Sequence, residues 1–98
     1  MVKGSKDKGD ELRRLANIGP AMRRDLELLG VNTVAQLANC EADDLYLRLN
    51  VLTGHRQDPC VWDVFAAAIH QARTGEATPW WQWTPQRKRR QESGQFRL

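Results

Sequence analysis

Apolar residues recur along this chain at helical intervals. Leu12 and Leu15 stand three apart, and Met22, Leu26 and Leu29 follow at i, i+4 and i+7. Val34, Leu37 and Ala38 form a third short set, Leu45, Leu49 and Leu52 a fourth, and Val61, Val64, Phe65, Ala68, Ile69 and Ala72 a fifth and widest. This spacing places each set on one side of a helix. No stretch alternates with period two between turn signals, so no strand is predicted. The expected class is all-α, a compact bundle of about five short helices.

Capping residues divide the sets. Asp10 can accept from the first free N–H groups of a helix ending by Asn17. Pro20 suits the first position of the next, where its missing N–H costs nothing. Gly30-Val31 fits a left-handed cap with an apolar residue folded back on the last turn. Thr33 is the expected cap of the third helix. Glu41, Asp43 and Asp44 suit the positive end of the fourth, which Thr53-Gly54 ends. Asp58-Pro59 starts the fifth, which runs to Gly75 and is the expected centre of the core. Beyond Pro79, Trp80-Trp81-Gln82-Trp83 is expected to fold back over the apolar helices, because each ring buries a large area while its N–H can reach solvent. Thr84-Pro85 is a further possible cap. This reading divides the chain into a basic disordered arm (1–9), a helical domain (10–84) and a basic tail (85–98).

Composition narrows the class. The 98 residues suffice for one core, and 41% hydrophobic with 28% charged residues is ordinary for a globular domain. The longest uninterrupted apolar run is Val64 to Ile69, and no apolar segment follows the first lysines, so neither membrane insertion nor secretion is expected and a cytoplasmic setting is. Cys40 and Cys60 suit free thiols in a reducing compartment. The net charge of +3 resides at the two ends: residues 1–9 carry +2 and 80–98 carry +4, while 10–79 carry −3. Overall basicity is therefore no argument for nucleic-acid binding, and only local clusters count.

The run Leu12-x-x-Leu15-x-Asn17-Ile18-Gly19-Pro20, followed by a helix ending Leu-Leu-Gly-Val, resembles the helix-hairpin-helix motif. The stretch from about Leu12 to Lys88, with LANIGPAMRRDLELLG, LTGHRQDPCVWDVF and PWWQWTPQRK, resembles small bacterial helix-hairpin-helix proteins of the pathogenicity-locus and mitomycin-resistance kind. Its first half is also similar to the C-terminal domain of TfoX-like competence regulators. The resemblance implies a SAM-like fold and a DNA phosphate held by backbone N–H groups at the hairpin, without sequence readout. Asn17 stands at the motif's first glycine and Arg23 at its usual small residue. The physics of the contact is general, since free N–H groups and the helix dipole together make an anion site.

The expected DNA-binding residues are thus Asn17, Ile18, Gly19 and Ala21 at the turn, with Arg13, Arg14, Arg23 and Arg24 beside them. No acid interrupts Leu12 to Arg24. Arg87, Lys88, Arg89 and Arg90 are possible tail contacts, and the nearby tryptophans could stack on bases. The bland alternatives are a solvated arginine face with pairs such as Arg23–Glu27, and a glycine hairpin that only packs helices in a protein-interaction adaptor, which the acidic middle suits. Cys60, near a helix start, could be a reactive thiol or a small buried hydrophobe. Cys40, His55, Cys60 and His70 lack zinc-site spacing. No nucleotide loop, nucleophile elbow or HExxH occurs, so no catalytic function, cofactor or metal is expected.

Overall fold

A computed structural model describes Leu12 and residues 14–93. The arm 1–9, the start of the first predicted helix and the last part of the tail lie outside the described residues. Leu12 is helical and residues 14–17 form a turn. Five helices follow: α1 (Pro20–Leu28), α2 (Val34–Ala38), α3 (Ala42–Thr53), α4 (Cys60–Thr74) and α5 (Thr84–Glu92), with a 3₁₀ turn, Trp80–Trp83, before the last. No strand occurs among the described residues.

The helix ends use the chemistry their sequence announces. Gly30 adopts φ +83°. Its N–H donates to the Glu27 carbonyl at 3.0 Å and the Val31 N–H to the Leu26 carbonyl at 2.8 Å, the two bonds of a Schellman cap. Val31 and Leu26 are both buried, so the folded-back residue seals the last turn. Thr33 and Gln36 form a reciprocal capping box on α2. Gly54 and Gly75 end α3 and α4 in left-handed conformations.

Helix α4 is the hub, packing against α2, α3, the 3₁₀ turn and α5, while α1 rests on α3. The core joins Leu12, Leu15, Leu26, Leu29, Leu37, Leu45, Tyr46, Leu49, Trp62, Phe65 and Ile69. Trp62, Asp63 and Phe65 to Ile69 are all buried, so α4 is enclosed on more than the one predicted face. In α3 the inward face is rotated from the expected one: Tyr46 is fully buried and donates its hydroxyl to the Gln57 carbonyl, whereas Leu52 is half exposed. A phenol needs an acceptor when buried, and the backbone between α3 and α4 supplies it.

The first part of the expected basic tail forms α5, which packs on α4. Two carboxylates hold it. Asp63, with no solvent exposure, accepts from Arg87 Nε at 2.8 Å and from Thr84 Oγ1 at 2.7 Å. A second clamp lies beside it, where Asp43 of α3 accepts from Trp62 Nε1 at 2.7 Å and pairs with Arg90. A helix with almost no apolar residues is thereby fixed by charge-assisted bonds.

Candidate nucleic-acid interface

The turn before α1 is built from one left-handed residue and two long-range hydrogen bonds. Asn17 lies at φ +71°, the only positive-φ residue other than glycine among the described residues. Asparagine tolerates this region better than most side chains. Its Nδ2 donates to the Thr78 carbonyl at 2.9 Å, and the Ala16 N–H donates to Gln71 Oε1 at 2.8 Å. The turn is therefore tied to α4 and to the segment beyond it. Thr78 joins two elements, because its hydroxyl also accepts from Trp83 Nε1 at 2.9 Å. Asn17→Ala should destabilise the protein by about 1–2 kcal/mol, from the left-handed strain and the lost bond; Asn17→Gly should recover part of it, as chemical denaturation would show.

Gly19 is the N-cap of α1, extended at φ −95° and ψ −177°, with Pro20 in the first turn. The first internal bond runs from the Arg23 N–H to the Gly19 carbonyl at 2.9 Å. Ahead of it, the amides of Gly19, Ala21 and Met22 have no acceptor within the helix. No side chain caps this end and no acid sits in its first turn. Among the other described helices, α2 has its Thr33 box, α3 has Asp43 and Asp44, and α4 has Asp58 and Asp63, whereas α5 likewise has neither a side-chain cap nor a first-turn acid and differs in that its Thr84 hydroxyl donates to the Asp63 carboxylate. Gly19, Pro20 and Ala21 are exposed, while Ile18 is half-buried against the core and anchors the turn.

A Cβ built on Gly19 would meet nothing within 4 Å, and its φ is open to any residue. Neither a close contact nor a positive φ requires glycine here, although glycine is itself a favoured N-cap residue. What glycine provides is unobstructed approach to the open amides.

Arg14 and Arg24 are exposed and Arg23 half-buried; none forms an ion pair with a described residue, and the Arg23–Glu27 pair is not made. Burial pushes the Asp25 carboxyl above its ordinary value, with the Arg24 charge opposing the shift. Arg13 lies outside the residues whose side chains are described. The run 87–90 is split: Arg87 is buried on Asp63 and Arg90 is paired with Asp43, so neither is a free surface contact, while Lys88 and Arg89 remain exposed. Asp63, Asp43, Gln71 and Thr78 are the positioning residues that sequence reasoning missed. The one signal for Asp63 was an acid amid an apolar run, between Trp62 and Phe65.

The Cys60 thiol is pushed up from its ordinary value by burial and by Asp58, the reverse of an activated nucleophile. Burial raises Cys40 as well. Among the described residues no group of three His, Cys, Asp or Glu side chains is placed to hold a metal, and no helix is long and apolar enough to cross a membrane.

The profile of the pathogenicity locus family (Cdd1) matches residues 5–89. The chain is 40% identical over 81 residues to mitomycin resistance protein McrB of Streptomyces lavendulae, an alignment covering 83% of this chain and 77% of the relative. A shorter match, 43% identical over 37 residues, joins 38% of the chain to 18% of large ribosomal subunit protein bL21 of Hyphomonas neptunium. No solved structure matches the chain significantly.

Proposed function

The chain belongs to the pathogenicity locus family, and we propose that it is a non-catalytic DNA-binding module holding the phosphate backbone without reading sequence. The observation that carries this reading is the amino end of α1: open amides, no side-chain cap, no first-turn acid, and arginines on both sides. A phosphate placed there gains the helix dipole and the N–H groups together, and Arg14, Arg23 and Arg24 add charge. Asn17 acts by holding the turn, since its side chain is committed to Thr78. Lys88 and Arg89 are the tail cations left to extend the footprint.

The test separates binding from folding. Gly19→Val fits the extended backbone at that position, so its stability should stay within about 1 kcal/mol of the parent. Its affinity for a labelled duplex, followed by fluorescence anisotropy, should fall severalfold because the side chain covers the amides. Unchanged affinity would remove the hairpin from the interface.

A protein-interaction role is the second reading, favoured by a specific surface. Leu47, Val51 and Leu52 of α3 are 45%, 81% and 51% exposed, and Leu28 of the neighbouring α1 is 54% exposed. Binding through such a face would be far less salt-sensitive than binding to phosphates.

A further inference from the structure

We infer that Trp81, with Lys88 and Arg89, forms a stacking site for an unpaired nucleobase of single-stranded DNA, an inference that rests on the DNA-binding reading above. The 3₁₀ turn repeats every three residues, which puts Trp80 and Trp83 on one side and Trp81 on another. Trp83 goes inward, bonded to Thr78 and tilted against His70 with ring centroids 5.2 Å apart. Trp80 is half-buried and meets Trp81 edge to face, centroids 5.7 Å apart at 85°. That contact fixes the Trp81 indole at the surface without covering it, and Trp81 remains 60% exposed.

The turn explains why position 81 faces water. It does not explain why the largest apolar side chain stands there, since a polar residue would serve the turn and avoid exposing the ring. The surroundings do. Helix α5 continues directly from the turn, and of its four consecutive cations Arg87 and Arg90 are tied to Asp63 and Asp43. Lys88 and Arg89 are exposed and form no ion pair among the described residues. Lys88 lies about 6 Å along the helix from Thr84, the residue that follows the turn directly. An exposed aromatic ring and exposed cations on one continuous segment are the combination that binds single strands with little sequence preference. A duplex keeps its base faces inside the stack, so this site selects unpaired bases, whereas the α1 site takes phosphate from either form.

The experiment titrates the full chain with an oligo-dT strand of about 12 nucleotides and with a duplex of equal length, following tryptophan fluorescence and anisotropy. Expected are quenching by the single strand, loss of most of that quenching in Trp81→Leu, and an affinity about tenfold lower in Trp81→Leu and in Lys88→Glu/Arg89→Glu. Trp81→Phe, which keeps an aromatic face, should retain more affinity than Trp81→Leu. Reversing Arg23 and Arg24 should leave the quenching by bound single strand in place. Equal single-strand binding by Trp81→Leu and the parent, while the α1 amides still respond to duplex, would overturn this inference alone. No binding of either DNA by the parent chain would overturn it together with the reading it rests on.

Discussion

Asp63→Ala is expected to destabilise the protein by about 3–5 kcal/mol, a large part of the roughly 5–15 kcal/mol that holds a domain of this kind together. The substitution leaves the Arg87 guanidinium buried with its charge unmatched and removes the acceptor of Thr84. Breaking a buried pair in this way is far worse than never having built it. Replacing both partners, Asp63→Leu with Arg87→Met, should therefore return much of the loss, because no charge is left uncompensated. Urea unfolding of the two variants decides the matter. If Asp63→Ala lost less than about 1 kcal/mol, α5 would not be docked through this pair.

Arg23→Glu/Arg24→Glu is expected to weaken duplex binding on the order of 100-fold at low salt, with the slope of log affinity on log salt falling by about two. Each arginine that neutralises a phosphate releases condensed counterions, so both quantities drop together. The fold should survive the change. Acidic side chains near the amino end of a helix favour its dipole, and α1 has no acid in its first turn. A matched loss of affinity and slope with an unchanged melting temperature is the predicted outcome. Loss of affinity with the slope intact would mean that the arginines act otherwise than by pairing with phosphate.

The parts of the fold legible in the sequence are those set by local chemistry. Gly30-Val31 and Thr33 each act on groups within a few residues, so their caps could be read from spacing alone. The wide apolar face of α4 likewise announced the central helix. Helix α5 was hidden because TPQRKRRQE has no apolar period, and a run of four cations reads as solvated surface. Its docking depends on Asp63, whose partner lies 24 residues away, and a carboxylate inside an apolar run does not say which cation it will meet. The same long-range pairing removed Arg87 and Arg90 from the expected contacts. The face of α3 was misjudged for a related reason. Leu45 and Leu49 fix only one edge of the stripe, and Tyr46 is drawn in by an acceptor at Gln57 that no periodicity encodes.

The candidate interface divides in the same way. Gly19-Pro20 and the arginines around it were visible as residue types, because an uncapped helix start needs no distant partner. The anchoring of the turn was not visible: Ala16 reaches Gln71 and Asn17 reaches Thr78, 55 and 61 residues on. Those bonds turn a permissive loop into a fixed one. Thr78 also connects the turn before α1 to Trp83, so that turn and the tryptophan segment share one buried anchor.

The central claim is that the amino end of α1 holds a DNA phosphate, and its most direct test is an NMR titration of nitrogen-15-labelled protein with a short duplex at low and then moderate salt. Amide shifts centred on Asn17 to Arg24 that shrink as salt rises are expected. Shifts confined to residues 87–98, or none at either salt, would contradict it.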